Sequence, residues 1–205
     1  MSFSRDQLNE RLREVDIEGK VVLDIGVQDK PTSRLTKGKP KAYYTLDIDP
    51  QWNPDLIADI NNPEVANAIL WKTARPVPES TTGMQETGFD VVFCIEVLEH
   101  CWDPVRAVAN MSTVLRSGGV LYLSTPFIGP HHDVVDYLRF TDEWYKEVLP
   151  RVGFKEVKIH ERIATRGRLH LRIFFETEGM RISKIRKMDF SSYTYPIGYI
   201  VEAYK

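Results

Sequence analysis

Residues 21–49 constrain the fold more than any other part of the chain. An apolar run, Val21-Val22-Leu23, ends in Asp24 and Gly26, which is typical of a buried parallel strand that opens into a ligand-binding turn. A short irregular crossover leads to a second strand, which ends in Asp47. Because the carboxyl ends of neighbouring parallel strands form the crevice in which open α/β sheets bind nucleosides, we predict a nucleoside site at this edge.

The turn after the first strand contains one glycine, where dinucleotide-binding turns contain three. Gln28 and Pro31 occupy the later positions of the turn, so a pyrophosphate cradle is not expected and a dehydrogenase is set aside. S-adenosylmethionine has no phosphate, and a single tight turn with nearby acids fits that ligand better. Asp24 and Gly26 are also ordinary turn residues, so this motif by itself leaves a purely structural role open.

The composition is that of one globular domain, with 205 residues, 42% hydrophobic and 27% charged. No apolar run approaches the roughly 20 residues that span a bilayer, and the N-terminus resembles a polar amphipathic helix rather than a signal peptide. A cytoplasmic location is therefore expected. The two cysteines, Cys94 and Cys101, provide neither a disulfide framework nor a metal-binding set.

The patterns predict several further elements. An N-terminal helix within residues 1–18 is expected to begin with a capping box of Ser4 and Gln7. Residues 75–88 have the composition of a surface loop, and residues 89–95 predict a central strand. A helix should begin at Asp103-Pro104 and end at Ser117-Gly118-Gly119. Its sheet-facing side chains are predicted to be Val105, Val108, Met111 and Leu115.

The second half of the chain contains a polar loop and a basic segment. Residues 125–141 are predicted to form a substrate-side loop, and residues 164–195 a basic insertion before the last strand. Residues 151–188 contain 11 Lys and Arg against 4 Asp and Glu, a local charge of +7. This asymmetry suggests an anionic partner, although a solvated face is the commoner explanation. No aromatic stacking motif or zinc spacing accompanies it, so nucleic acid is not expected as a partner.

An ordered set of segments resembles the class I S-adenosylmethionine-dependent methyltransferases, most closely those of the type 11 kind. The matches run from residue 21 to about residue 154 and include Asp24-Ile25-Gly26, Leu46-Asp47-Ile48-Asp49-Pro50, Asp55-Leu56-Ile57-Ala58-Asp59-Ile60, Phe89-Asp90-Val91-Val92, Val97-Leu98-Glu99-His100 and Leu115-Arg116-Ser117-Gly118-Gly119. The resemblance implies a single α/β domain with a Rossmann-like, doubly wound, mostly parallel seven-stranded sheet and helices on both faces.

The resemblance also implies the cofactor and the residues that would hold it. The cofactor would be S-adenosyl-L-methionine, with S-adenosyl-L-homocysteine as its product. Gln28 departs from the family pattern because it replaces the second turn glycine, where it could either crowd or hydrogen-bond the methionine carboxylate. The residues implied for the methionine part are Asp24, Gly26, Gln28 and the backbone of Cys94; those for the ribose and adenine are Asp47, Ile48, Asp59 and Ile60.

Transfer to a hydroxyl acceptor requires a base near the reacting oxygen, and histidine suits this task. His131 and His132 are the candidates, with Asp136 as an orienting group or an alternative base. The acceptor side is predicted to include Glu96, Phe127, Tyr137 and Arg139. A structural alternative is a folded lid in which Asp136 pairs with Arg139 and the histidines are simply exposed. Structural roles are favoured for Glu99 and His100, and no metal site is predicted.

Two functions of different classes remain open from the sequence. The first is a methyltransferase that acts, most simply at oxygen, on a small-molecule or carbohydrate-like acceptor. Residues 136–141 resemble a branch associated with surface-polysaccharide and glycolipid pathways, which suggests a sugar or an anionic sugar conjugate. The second is a catalytically inactive binding or assembly subunit, supported by Gln28 and the short first crossover. The three acids at three strand ends favour the first function; the acceptor and the oligomeric state stay open.

Overall fold

The computed structural model describes residues 3–76, 85–164 and 195–205. Most of the predicted basic insertion, residues 165–194, lies outside these described residues. The helices are α1 (Phe3–Leu12), α2 (Val65–Thr73), α3 (Pro104–Val114) and α4 (Asp142–Arg151). The strands are β1 (Val21–Ile25), β2 (Ala42–Asp47), β3 (Leu56–Ile57), β4 (Arg75–Pro76), β5 (Gln85–Glu86), β6 (Phe89–Ile95), β7 (Leu115–Pro126), β8 (Glu156–Ala164) and β9 (Tyr195–Tyr204).

Seven of these strands form one sheet in the order β3-β2-β1-β6-β7-β9-β8. The first five run parallel, whereas β9 is antiparallel to both of its neighbours, β7 and β8. The strand order reverses at β1, so β1 and β6 diverge at a topological switch point, where open α/β sheets bind ligands. The predicted fold, a mostly parallel seven-stranded Rossmann-like sheet, is confirmed.

Each face of the sheet has its own apolar cluster. On one face, α2, α3 and α4 bury Ile69, Met111 and Leu149 against the strands. On the other face, α1 buries Leu8 and Leu12 together with strand residues that include Phe93 and Ile200. In the segments after β1 and β2, the structure has single 3-10 turns, Thr32–Arg34 and Pro50–Trp52. Within the described residues, the second face is therefore covered chiefly by α1.

Several local expectations were wrong in detail. α1 runs from Phe3 to Leu12, which places Ser4 inside the helix rather than at its N-cap. The Gln7 side chain accepts a hydrogen bond of 2.9 Å from the Ile163 N–H. Asp103 does cap α3, but Val105 is exposed and Ala107 is buried in its place. A helical face covers about 100° and depends on the packing angle, which spacing alone does not specify.

Two boundaries also differ from the prediction. α3 ends at Val114, and β7 begins at the next residue, so the Ser117-Gly118-Gly119 segment belongs to the strand rather than to a helix end. The ends of the predicted loop at 75–88 pair as the antiparallel ribbon of β4 and β5. Residues 77–84 of that loop lie outside the described residues.

No helix in the described ranges has both the length and the apolar composition needed to cross a lipid bilayer.

Candidate active site

The turn after β1 has the backbone of a glycine-rich turn although it contains only one glycine. Gly26 has φ +71°, and a Cβ there would lie 2.4 Å from the Val97 side chain. Gln28 has φ +48°, in the left-handed region that glycine adopts most easily. Its N–H faces Asp47 Oδ2 at 3.3 Å. The departure from the family pattern is therefore accommodated in the backbone, at the cost of some strain.

Asp24, at the carboxyl end of β1, is 1% exposed and holds the crossover in place. Its carboxylate accepts hydrogen bonds from Thr32 N at 2.7 Å, Thr32 Oγ1 at 3.0 Å and the Tyr43 hydroxyl at 2.5 Å. Burial raises the pKa of Asp24 to about 6, against the lowering effect of these three bonds. With both oxygens engaged, the observed role of Asp24 is to support the turn; contact with a cofactor stays a prediction.

Asp47 and Ile48, at the end of β2, provide a polar and an apolar surface side by side. Asp47 accepts from Gln28 N and from Asp49 N at 3.0 Å. A carboxylate offers about four acceptor positions, so acceptors remain for the two hydroxyls of a ribose. Ile48 is 66% exposed although it is apolar, as expected for a side chain that could lie against an adenine ring. These residues fit a nucleoside.

The remaining residues implied for the cofactor differ in accessibility. Asp59 Oδ1 accepts from the backbone and side-chain nitrogens of Asn61, both at 2.8 Å, while Ile60 is buried. Cys94 is fully buried in β6, and burial raises the pKa of its thiol well above the usual range. Its side chain is therefore a neutral core group, so that any contact with a ligand would come from its backbone.

Glu96, after β6, is held by a residue from the far edge of the sheet. It has φ +56°, and its Oε1 accepts from Ser124 Oγ and from Arg162 Nη2, both at 2.9 Å. The same Arg162 nitrogen donates to the Thr125 carbonyl at 2.5 Å. Arg162 is buried in β8 and has no recognisable sequence signal, because it is one of many basic residues near the predicted insertion.

In the loop at 125–141, His132 is paired with Asp136. Its Nδ1 lies 3.1 Å from Asp136 Oδ2, and its backbone N–H donates to the same oxygen at 3.0 Å. Arg139 donates from both terminal nitrogens to Asp136, which holds the pKa of that carboxyl well below its usual range. The Asp136–Arg139 pair of the structural alternative is thus present, and so is an oriented histidine. His131 is exposed.

Glu99 and His100 lie against this loop. The Glu99 carbonyl accepts from Tyr137 N at 2.9 Å, and His100 Nδ1 is hydrogen-bonded to the Val135 carbonyl. Glu99 is fully buried, and burial together with the charge of Glu96 raises its pKa to about 8. Both residues belong to a 3-10 turn, Leu98–His100, which precedes α3. The structure therefore joins them to His132, although the sequence favoured separate structural roles.

The two aromatic candidates for acceptor contact differ in exposure. Phe127 is partly buried and packs against Tyr199, with ring centroids 5.7 Å apart. Tyr137 is exposed. Arg139 is occupied by Asp136, by its neighbour's carbonyl and by the Pro130 carbonyl. Of the four predicted acceptor-side residues, Tyr137 is the one whose side chain is most open to a ligand.

Comparison with known proteins finds similarity to methyltransferases. A methyltransferase domain family model matches residues 23–123. Ubiquinone biosynthesis O-methyltransferase from Pseudomonas paraeruginosa is 29% identical over 111 residues, 53% of this chain and 45% of that protein. The enzyme of the same name from Ralstonia nicotianae is 26% identical over 181 residues, 87% of this chain and 70% of that protein. The chain thus spans about half the length of the first of these relatives.

Among solved structures, a SAM-dependent methyltransferase from Archaeoglobus fulgidus superposes with a TM-score of 0.60 at 16% identity, covering 98% of this chain and 94% of that one. At this identity the superposition supports the fold alone. The family model, which the order of the strands agrees with, indicates the class. The chain belongs to the class I S-adenosylmethionine-dependent methyltransferases of the type 11 kind, a family whose cofactor is S-adenosylmethionine.

Proposed function

We propose that this chain is an active S-adenosylmethionine-dependent methyltransferase that methylates a hydroxyl oxygen of a small-molecule acceptor. When bound, the cofactor supplies an activated methyl group and its own leaving group. The protein has to position the acceptor and accept its proton. The observation that carries the proposal is the bond between His132 and Asp136 on the loop next to the crevice.

The hydrogen bond to Asp136 determines how His132 could act. A carboxylate only accepts, so His132 Nδ1 carries the proton and its Nε2 has a free lone pair. Arg139 keeps Asp136 ionised and fixed in place. An acceptor hydroxyl that approaches Nε2 could therefore transfer its proton to His132. Asp136 acts through His132, as a positioning residue, whereas within the described residues no carboxylate orients His131 in the same way.

The cofactor would lie across the ends of β1, β2 and β6. Asp47 would bind the ribose hydroxyls, Ile48 would cover the adenine, and Asp59 would accept from the adenine amino group. Gly26 and Gln28 would approach the methionine part with their backbone. Support comes from the acceptor positions that remain on Asp47 and from the exposure of Ile48.

Oxygen is preferred as the methylated atom because the relatives reported above are named O-methyltransferases. Those names do not support a sugar acceptor, so the proposal is restricted to a hydroxylated small molecule. The inactive binding subunit is less favoured, because the Gln28 backbone already adopts the conformation of the missing glycine.

Two measurements test the proposal. Calorimetric titration with S-adenosylmethionine and S-adenosylhomocysteine should give micromolar binding, about −8 kcal/mol. In a methyl-transfer assay over a panel of phenols and other alcohols, His132→Ala should lower turnover about a hundredfold or more with unchanged cofactor affinity. His131→Ala is the matched control and should retain turnover. An absence of cofactor binding, or equal turnover of both variants, would contradict the proposal.

A further inference from the structure

We infer that Glu99, His100 and His132 form a binding site for a divalent cation of the zinc type. One carboxylate oxygen and one nitrogen from each ring can be chosen so that all three lie within 4.8 Å of one another. Two of the residues follow β6, and the third comes from the loop at 125–141. The inference stands on these three side chains and does not require that methyl transfer occurs.

The hydrogen bonds of the two histidines leave each ring with a lone pair near the same carboxylate oxygen. His100 Nδ1 is bonded to the Val135 carbonyl and His132 Nδ1 to the Asp136 carboxylate. Both partners only accept, so each ring has its proton on Nδ1 and a lone pair on Nε2. In each case Nε2 lies 3.8 Å from Glu99 Oε1. Two nitrogen lone pairs and one carboxylate oxygen therefore lie close together, which is the kind of donor set that a shared cation binds.

Glu99 supplies the second, independent observation. It is 0% exposed, and neither of its carboxylate oxygens has a hydrogen-bond partner in the structure. A buried carboxylate without a partner is costly and calls for a compensating group. His100 and His132 are partly exposed above it, with side-chain exposures of 24% and 44%. A small cation could therefore enter past the histidines and reach the carboxylate beneath them.

The spacing of the cluster suits a shared metal ion better than hydrogen bonds. Zinc–nitrogen and zinc–oxygen bonds of about 2.1 Å in a tetrahedral arrangement place neighbouring ligand atoms about 3.4 Å apart. The observed separations of 3.8 Å exceed that value by a few tenths of an ångström, and they lie well beyond the roughly 2.9 Å of a hydrogen bond. A small closure of the loop would complete the site.

The ligand set and its supports indicate the kind of ion. Two imidazoles and one carboxylate favour Zn²⁺ and similar transition metals over Mg²⁺ and Ca²⁺, which prefer oxygen ligands alone. Metal-binding histidines usually donate their other ring N–H to a carboxylate or a backbone carbonyl, and Asp136 and Val135 provide one of each. Three protein ligands leave one tetrahedral position open, as in catalytic zinc sites.

If the proposed function holds, the open position gives the ion a role in it. A hydroxyl bound there would lose its proton more easily, because a zinc ion lowers the pKa of a bound oxygen. His132 Nε2 cannot be a metal ligand and a proton acceptor at the same moment. In the metal-loaded protein the ion would therefore take over the activation that the proposed function assigns to His132.

The test uses the purified 205-residue chain, treated with EDTA and exchanged into chelator-free buffer. Calorimetric titration with ZnCl₂ alone should show one ion per chain at micromolar or tighter affinity. Co²⁺ should give the visible absorption of a tetrahedral site. Glu99→Gln and His132→Ala should each lower the zinc affinity at least about tenfold, while His131→Ala, the matched control in the same loop, should bind like the wild type.

Folding is checked separately by circular dichroism and thermal unfolding. His132 is partly exposed on a loop, so His132→Ala remains informative even if Glu99→Gln fails to fold. Wild-type binding only at millimolar zinc, or equal affinities for the wild type, His132→Ala and His131→Ala, would overturn the inference. Titration of the wild type with S-adenosylhomocysteine distinguishes the two proposals. If the wild type binds S-adenosylhomocysteine but not zinc, the metal site is refuted and the proposed function is not.

Discussion

Gly198 lies directly beneath the guanidinium of Arg162, so that a Cβ at position 198 would be 2.2 Å from Arg162 Nη2. The two residues are paired on neighbouring antiparallel strands, β8 and β9, next to an irregularity in the register. The close approach lets Arg162 lie flat against the sheet and reach Glu96 and the Thr125 carbonyl at the edge of the site.

Gly198→Ala should therefore displace Arg162 and weaken its bonds to Glu96 and Thr125. We expect a loss of about 2 kcal/mol or more in the free energy of unfolding, the scale of overpacking combined with a disturbed buried charge. Urea unfolding measures it. Gly129→Ala is the matched control, because a Cβ at Gly129 has nothing within 4 Å. Equal stability of the two variants would show that Arg162 can shift freely.

Gln28→Gly should leave stability unchanged or raise the free energy of unfolding by up to about 1 kcal/mol. An L-residue in the left-handed region costs roughly 1–2 kcal/mol, whereas glycine pays only backbone entropy. Asp29→Gly, one residue further along and without a positive φ, should instead lower stability by about 0.5–1 kcal/mol. Thermal unfolding compares the two variants. A larger loss for Gln28→Gly would mean that the glutamine side chain itself stabilises the turn.

Asp47→Ala should weaken S-adenosylhomocysteine binding by more than about 1 kcal/mol, the scale of hydrogen bonds to a charged acceptor. This corresponds to roughly a fivefold rise in Kd, measured by calorimetry. Asp29 is exposed and lies in the same region. Asp29→Ala is therefore the control for the loss of an acidic side chain outside the proposed site. The bonds from Gln28 N and Asp49 N are lost as well, so a melting curve must accompany the titration. Unchanged affinity would remove Asp47 from the cofactor site.

The raised pKa of Asp24 predicts a pH dependence of stability. Its pKa is about 6 in the folded protein and 3.8 in the unfolded chain, so folding favours the protonated carboxyl. The stabilisation from this proton is complete below about pH 4 and is lost as the pH rises through about 6. Above that range, the folded protein holds an ionised Asp24 that relies on Tyr43 and Thr32.

Tyr43→Phe should therefore cost more stability at pH 7.5 than at pH 5, by about 1 kcal/mol, because a hydrogen bond to a charged group is the stronger one. Urea unfolding at the two pH values measures the difference. Tyr44→Phe, at the neighbouring position where the ring packs edge-on against Phe89, should show no such dependence. A cost that is the same at both pH values would indicate that Asp24 remains protonated at neutral pH.

Local sequence patterns were sufficient to predict several of the strands and the start of one helix. Apolar runs with acids at their ends predicted β1, β2 and β6, and the Asp103-Pro104 pair predicted the start of α3. These signals are local because strand pleat, helix turn and N-cap depend on residues a few positions apart. The choice of S-adenosylmethionine over a dinucleotide also depended on a single short turn, and the family assignment agrees with it.

The tertiary structure alone decided which side chains meet. His132 is more than thirty positions from Glu99, and Arg162 is 66 positions from Glu96, yet the order of the strands brings each pair to one edge of the sheet. The burial of Glu99 without a partner and the tautomers imposed by Val135 and Asp136 follow from the same packing. Periodicity carries no record of such long-range contacts, because they depend on how whole strands and loops are arranged. The sequence therefore determined the class of protein, and the fold decided the chemistry that its residues can share.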